Sequence, residues 1–512
     1  MCIRDSTKGV FQLESQLGRS MAERVKPRNM EQLSDLIAII RPGCMEAIVD
    51  GKSLTNHYID RKHHTDPVEY FHDALEPILK STYGILVYQE QALLIARDIA
   101  GFDLQEADIL RKAIGKKNVG LMTELKEKFI TKAVEKGTVN REQAAEIFSW
   151  IEKSQRYSFN KSHSVSYAYN AYLTAYTKMH FPHEFFTSYL KNSIGKPDAY
   201  LEIEELVNNA RVMNIEVMPP SIKKMNKYFT LVKDKPTFGL TEIKGVGGSV
   251  FDKMVRCLKR NRIKLKLCDW NTFLIGFGSC IKVDAFEGLA LSGALDCFEV
   301  PRSQMVHELK MFRELGSKRE VPWIENYKNQ NKESTLEQCI TAMIKLNDWS
   351  DRERPIFRKD RVDVLESIVD SLQNPGYELI DLPGWKAQQE EHYLGISLTC
   401  ARVDEYDTSR SNCTCKEYLD GFESKNGIRI TAQIDYVREW KIKRGSSKGQ
   451  KMAFVTISDG TCSLDSVTFF SDEWRKHHKK VVEGNILLFS GSRDIKRGSF
   501  LIKSVSKVKN LV

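Results

Sequence analysis

The stretch RYSFNKSHSVSYAYNAYLTAYTKMHFP, Arg156–Pro182, sets Asn160, Lys161, Ser162 and His163 among aromatic side chains, then runs on with tyrosines at helix-like intervals. A solvated helix needs no such mixture of donors and rings. A surface that grips phosphates and lies against bases does. A histidine between two serines is also common as a structural residue, so His163 stands both as a phosphate donor or general acid and as a local packing group.

Around this stretch, residues 1 to about 190 read as mainly helical. Met30 to Ile40 carries apolar side chains at helical spacing and is stopped by Arg41-Pro42-Gly43. Leu75 to Lys80 is a short segment before the turn Thr82-Tyr83-Gly84, and Ile85 to Ile99 reads as one helix ended by Gly101. Ala107 to Ile114, Leu121 to Glu135 and Arg141 to Lys153 continue the pattern, the last with Asn140 as its N-cap.

Charge is concentrated here. The chain has a formal net charge of +9, and 13 Lys/Arg against 6 Asp/Glu lie between Arg111 and Lys178, a local excess of +7. Such a bias suits a polyanion-facing surface, with an ordinary solvated helical face as the plainer alternative. The cations Arg111, Lys112, Lys116 and Lys117 flank Gly115 and suit a triphosphate or a strand backbone; cations at a helix C-terminus are also favoured by its dipole. Tyr88 and Gln89-Glu90-Gln91 sit where a helix would begin.

Eleven cysteines are scattered without a Cys-x-x-Cys pair and read as reduced, mostly buried thiols of a cytoplasmic protein. Cys413-Thr414-Cys415 lacks the second ligand pair a structural zinc needs. No apolar run is long enough to cross a membrane, and the first residues do not form a signal peptide.

Further on, Ile243-Lys244-Gly245-Val246-Gly247 between two short helical segments is a helix-hairpin-helix signature. Its glycines let backbone amides approach a phosphate, which assigns Lys244, Gly245 and Gly247 to DNA backbone. A second helical unit ends in Leu291–Asp296. The stretch 305–385, with Pro322, Pro355, Pro375 and Pro383, reads as a looser linking region with helix near 336–346 and 362–372.

From about residue 425 the period changes from 3.6 to 2. Five strands are predicted over 428–440, 452–458, 464–470, 485–491 and 500–505, with turns at Asp459-Gly460 and Arg497-Gly498 and a helix over 471–478. Five short strands with a helix after the third match an OB-fold barrel, any other small β-barrel being the alternative. Lys441, Lys443, Arg444 and Lys448 lie on the long first hairpin, where a single strand would bind if the loop is not merely solubilising.

In order, these segments resemble the C family of bacterial replicative DNA polymerases, the polymerase III alpha type. The matching pieces are Gly9–Ser15, Ile40–Gly43, Tyr58–Lys62, Tyr83–Gln91, Leu110–Lys117, Phe159–Ser164, Ile243–Gly247 and Leu291–Asp296. The resemblance implies a multidomain, mainly α protein with α+β parts: the remainder of a palm over 1–60, helical fingers over 61–195, a helix-hairpin-helix domain over 196–300, a linker with irregular helix over 301–424, and an OB-fold barrel over 425–512. It implies nucleotide and template contacts at Arg41, Gln89, Arg111, Lys112, Lys116, Lys117, Asn160, Lys161 and His163, with Arg111, Lys112 and Lys161 on the triphosphate.

Family members also carry a phosphoesterase-like domain and palm aspartates that hold two Mg2+ ions. None of Asp5, Asp35, Asp50 or Asp60 stands in a matching context, and no glutamine-led sliding-clamp peptide is found, Gln304-Met305 being no substitute. The resemblance thus implies no catalytic or metal-ligating residue here. The partners it implies are primer-template DNA, dNTPs, a separate N-terminal polymerase portion and a sliding clamp, and the isolated chain is expected to be inactive. A split gene, a phage copy or a gene fragment would each account for this. A non-catalytic nucleic-acid-binding protein derived from a polymerase fragment is the alternative.

Overall fold

Short polar caps start the helices that matter most in the first part of the chain. Asn29 accepts from the Gln32 amide at 2.9 Å, and the Asn160 side chain accepts from the His163 amide at 2.8 Å. Each satisfies an amide that the first helical turn leaves without a partner. The computed structural model describes residues 7–116, 119–154, 158–348, 357–443, 447–494 and 498–511. The chain divides into two units, residues 1–182 and 183–512.

The first unit contains α1 (Gln16–Val25), α2 (Met30–Ile39), α3 (Pro42–Glu46), the hairpin β1 (Ile48–Val49) and β2 (Lys52–Ser53), α4 (Leu54–Lys62), α5 (Glu76–Leu79), α6 (Gln89–Ala100), α7 (Leu104–Lys116), α8 (Val119–Glu135), α9 (Arg141–Ser154) and α10 (Lys161–His180). It holds two main cores and a small cluster of Ile37, Ala168 and Ala171. One gathers Val10, Leu36, Ile39, Tyr58, Val87 and Tyr88. The other joins α6 to α9 through Ile95, Leu110, Phe129 and Phe148. Each such fully buried side chain contributes about 1.5–3 kcal/mol.

The helix expected from Ile85 begins instead at Gln89. Residues 85–88 are held extended because the Gln91 Oε1 accepts from the amides of Val87 and Tyr88, each at 2.9 Å. Phe159 then donates to the Val87 carbonyl and accepts from the Gln89 amide, each at 2.9 Å, forming a parallel bridge between Tyr88 and Phe159. Gly101, at φ +66°, ends α6 as the sequence indicates.

The second unit opens with α11 (Pro182–Ser193), α12 (Ala199–Val212), the hairpin β3 (Thr230–Val232) and β4 (Lys235–Thr237), α13 (Gly248–Arg260), α14 (Trp270–Phe277) and α15 (Val283–Leu291). The stretch expected to be a loose linker with helix near 336–346 and 362–372 is more regular: α16 (Arg302–Arg313), α17 (Glu320–Gln330) and α20 (Pro383–Leu394) join the two expected helices, α18 (Leu336–Asp348) and α19 (Lys359–Gln373). Leu309, Ile324, Ile340, Leu365 and Leu394 from these helices join Leu206, Phe273 and Leu289 in one core. At its edge Arg302, 1% exposed, pairs with Asp296 at 2.6 Å and with the fully buried Glu390 at 2.8 Å.

One cysteine expectation is corrected. Cys257 on α13 and Cys280, 23 residues later, form a disulfide with Cα atoms 6.2 Å apart, because the shared core brings α13 against the turn before α15. No other described cysteine forms a disulfide.

After α21 (Cys415–Leu419) come β5 (Ile428–Lys441), β6 (Lys451–Ser458), β7 (Ser463–Phe469), α22 (Ser471–His477), β8 (Ile486–Arg493) and β9 (Phe500–Lys507). They close a barrel in the order β5-β6-β7-β9-β8, with β7 and β9 parallel and the other pairs antiparallel. Five strands with the helix after the third make this the expected OB-type barrel, filled by Ile430, Ile434, Val455, Ile457, Phe469 and Phe489. Among the described residues no helix is long and apolar enough to cross a membrane.

Candidate nucleic-acid interface

Three surfaces carry the residues singled out above. In the first unit, the Tyr88–Phe159 bridge sets the start of α6 beside the start of α10. Glu90 ties the two together, accepting from the Asn160 side-chain amide and from the Lys161 backbone amide, each at 2.9 Å. The Arg41 guanidinium carbon lies 3.6 Å from the centre of the Phe159 ring, a cation–π contact. Partial burial draws the Arg41 pKa below its usual value. His163 is exposed and packs on Tyr167 with ring centres 4.1 Å apart at a tilt of 40°, and meets Phe159 edge to face at 5.4 Å. The Lys161 ammonium is 3.7 Å from Glu31 and 5.4 Å from the Tyr88 ring. Arg41, Gln89, Asn160, Lys161 and His163 are therefore brought together around Phe159.

Arg111 and Lys112 are placed elsewhere. They stand on α7, whose buried face belongs to the second core, and both bind Asp108 on their own helix, at 2.7 Å and 2.8 Å. Their charge is thus partly answered in place. Lys116 ends α7, its side chain lies outside what is described, and Lys117 lies outside the described residues.

Behind the cluster is a buried network that sequence reading missed. Asp35 of α2, fully buried, accepts from the hydroxyls of Tyr58 at 2.8 Å and Tyr88 at 2.7 Å. The Ser34 hydroxyl lies 3.0 Å from that of Tyr88, and Ser164 of α10 donates to the Ser34 carbonyl at 2.7 Å. Burial raises the Asp35 carboxyl to about 6, against the opposing pull of the two tyrosine hydrogen bonds. An acid inside the apolar run Met30–Ile40 was the available signal. Glu90 had none, since both its partners are distant in sequence.

The hairpin in the second unit presents Lys244 and Gly245 to solvent, Gly245 at φ +87°. Gly247 caps α13, and a Cβ built there would meet nothing within 4 Å, so the first turn of α13 is open to an approaching phosphate. Lys227, which no motif marked, brings its ammonium beside this helix start and pairs with Asp252 at 3.3 Å. The turn is braced from behind: the Lys244 amide donates to the Tyr393 carbonyl at 3.0 Å. Glu242, 5% exposed, is raised to about 7 by burial.

On the barrel, β5 runs past its neighbours into a long hairpin with β6. Tyr436, Arg438 and Trp440 alternate along the exposed side of β5, and opposite them on β6 stand Thr456, Phe454 and Met452. Tyr436 is 57% exposed, Trp440 and Phe454 40% each. The Arg438 guanidinium carbon and the Lys443 ammonium lie 5.7 Å and 5.5 Å from the Trp440 ring centre. Lys441 and Lys448 are exposed on the same hairpin, and Arg444 lies outside the described residues. The aromatic residues were not singled out from sequence, although their period of two was visible.

Residues 1–137 match the family described as the bacterial DNA polymerase III alpha subunit finger domain, and residues 214–305 match the helix-hairpin-helix motif. DNA polymerase III subunit alpha of Staphylococcus epidermidis is 30% identical over 488 residues, 95% of this chain and 40% of its own length. The chain is related to the alpha subunits of bacterial DNA polymerase III. The Aquifex aeolicus alpha subunit is 39% identical over 303 residues, 59% of this chain and 25% of its own, and one from Staphylococcus aureus is 28% identical over 495 residues, 96% and 40%. The chain thus spans about 40% of the length of the first alpha subunits it matches. Arg41, Gln89, Arg111, Lys112, Lys116 and Lys117 fall inside the match to the alpha-subunit finger domain. Asn160, Lys161 and His163 lie beyond it, yet are joined to Arg41 through Phe159.

Proposed function

We propose that this chain supplies nucleotide- and DNA-binding parts of a template-directed DNA polymerase of the polymerase III alpha type. The observation that carries the reading is the outer face of the barrel, where Tyr436, Trp440 and Phe454 stand exposed among Arg438, Lys441, Lys443 and Lys448. Rings on which bases stack, set among cations that track a backbone, suit a single strand whatever its sequence. The open start of α13 at Gly247, with Lys244 and Lys227 beside it, suits the backbone of the primer-template duplex. The cluster of Arg41, Asn160, Lys161 and His163 suits the incoming dNTP, with Gln89 fixed at its edge.

Among the described residues no three His, Cys, Asp or Glu side chains converge on a point that would hold a metal ion. The described residues therefore do not fit a site for the two Mg2+ ions of phosphoryl transfer. In this proposal the ions, and with them the chemical step, are supplied by a separate N-terminal polymerase portion.

Fluorescence anisotropy of labelled oligo-dT with the full chain tests the barrel. Trp440→Ala and Phe454→Ala should each weaken binding about tenfold, since stacking on one aromatic side chain contributes about 1–3 kcal/mol. Unchanged affinity in the double variant would remove the carrying observation. Magnesium-dependent dNTP incorporation, with and without an added N-terminal portion, tests the enzyme role. Extension by the chain alone would refute the need for a second portion, and none when complemented would favour a DNA-binding protein without catalysis.

A further inference from the structure

The underside of the β5–β6 hairpin differs from its aromatic face. Glu439 points there, away from Arg438 and Trp440, accepts from the Trp474 indole of α22 at 3.0 Å and pairs with Lys451 at 2.6 Å. This clamp fixes the hairpin above α22 and leaves a cleft of about 320 Å3 between them, lined among others by Lys451, Gln450, Arg475 and His478.

The cleft opens beside Arg475-Lys476-His477-His478-Lys479-Lys480, the longest unbroken run of basic side chains in the chain. Its simplest explanation is the dipole of α22, which favours cations in the last turn. That explanation stops at the helix end, His477, whereas the run continues for three residues. Carboxylates answer only its first half. Glu473 takes Lys476 at 2.8 Å and lies 3.6 Å from His477, and Arg475 meets Asp472 only at 3.9 Å, both well exposed. Among the described residues neither Lys479 nor Lys480 pairs with an acid. A cluster of like charges left exposed raises the energy of the free protein and falls in energy when a polyanion arrives.

We propose that this run, with Lys451 across the cleft, is a second contact for single-stranded DNA. It holds the backbone of a strand that has crossed the aromatic face and passed to the α22 side of the hairpin. The proposal rests on the reading of that face as a single-strand platform. Continuity favours DNA over other polyanions, because the exposed Lys441, Lys443 and Lys448 stand on the same hairpin that carries the aromatic face and is clamped to α22. The division of labour follows from chemistry: rings on the outer face take bases, and the α22 side offers only charge and takes phosphates.

The test uses the full chain with oligo-dT of about 6 and about 16 nucleotides, lengths that span the usual site size of one such barrel. The exposed triple substitution Arg475→Gln/Lys479→Gln/Lys480→Gln is compared with Trp440→Ala/Phe454→Ala, with circular dichroism confirming folding. The triple variant should bind the long oligonucleotide at least tenfold more weakly. The slope of log affinity against log salt should fall by about 2, the counterions of three phosphates on a single strand. The short oligonucleotide should bind as before. Unchanged long-oligonucleotide affinity and slope, with the aromatic variant still impaired, would overturn the second contact and leave the platform standing. No effect of the aromatic variant on either length would remove the platform and this inference with it. An equal loss on a duplex of the same length would assign the run to double-stranded backbone and refute the single-strand path.

Discussion

The Tyr88 hydroxyl donates to Asp35 at 2.7 Å, in the interior directly behind the residues assigned to the nucleotide. Because that hydrogen is committed to the carboxylate, the neighbouring Ser34 hydroxyl at 3.0 Å must donate to the Tyr88 oxygen. Tyr88→Phe breaks both links and leaves Asp35 with Tyr58 alone. The variant should lose about 1–3 kcal/mol of stability, the cost of buried groups left unsatisfied. Urea unfolding of the full chain followed by tyrosine fluorescence measures it.

Glu242 gives a pH dependence whose sign is fixed. Its carboxyl is raised from 4.5 to about 7 by burial, so between those values the folded chain keeps a proton that the unfolded chain has released. Its contribution is greatest below pH 4.5, is lost as pH rises toward 7, and is flat above. Glu242→Gln cannot ionise, so it should match the parent at pH 4 and exceed it at pH 8 by on the order of 3 kcal/mol. Thermal melts of both proteins at the two pH values decide the point; equal differences at both would contradict it.

Lys161 and the pair Arg111/Lys112 separate two ideas of where the triphosphate sits. Arg111 and Lys112 share Asp108, whereas Lys161 stands in the Arg41–His163 cluster. In an enzyme complemented with an N-terminal portion, Lys161→Ala should raise the KM for dNTP about tenfold or more, and Arg111→Ala/Lys112→Ala should raise it less. The reverse order would move the triphosphate to α7.

Arg41→Lys tests the contact with Phe159. A lysine keeps the charge but loses the flat guanidinium that lies 3.6 Å from the ring centre, and the two side chains are not equivalent at stacked sites. A several-fold rise in dNTP KM with little change in thermal stability is the expected result.

Arg302→Met should be far more harmful to folding than any of these. It strands Glu390, fully buried, without its cation, a change that costs about 3–5 kcal/mol. The double variant Arg302→Met/Glu390→Gln should recover much of that loss in the same unfolding assay, because it removes the stranded charge and keeps an acceptor for the Leu398 and Thr399 amides.

What could be read from sequence divides along a physical line. The barrel strands were legible because one side of each faces the core, and alternation of Ile428, Ile430, Ala432 and Ile434 records that directly. In the stretch from 302 to 394, α18 and α19 were legible, whereas α16, α17 and α20 were obscured by prolines taken as breakers. Pro383 opens α20 and Pro322 lies in the first turn of α17, positions where the missing amide costs nothing. The cations of the nucleotide cluster were visible as residue types. That Glu90 would bind Asn160 and Asp108 would bind Arg111 was not weighed, although the second pair has ordinary helical spacing. The Asp35 network joins α2, α4, α6 and α10, and no local pattern encodes such a meeting.

The Tyr88–Phe159 bridge has a topological consequence. Helices α6 to α9 leave the first core and return to it at adjacent residues, so they form an excursion closed at that seam, its interior shared only with the preceding segment through Leu75, Ile78 and Leu79. Material could be added to or removed from the far turns of that excursion without altering the distance between Gln89 and Asn160. Length variation is therefore tolerable far out along α7 to α9 and intolerable at the seam, where a single inserted residue would pull the start of α6 out of register with the start of α10.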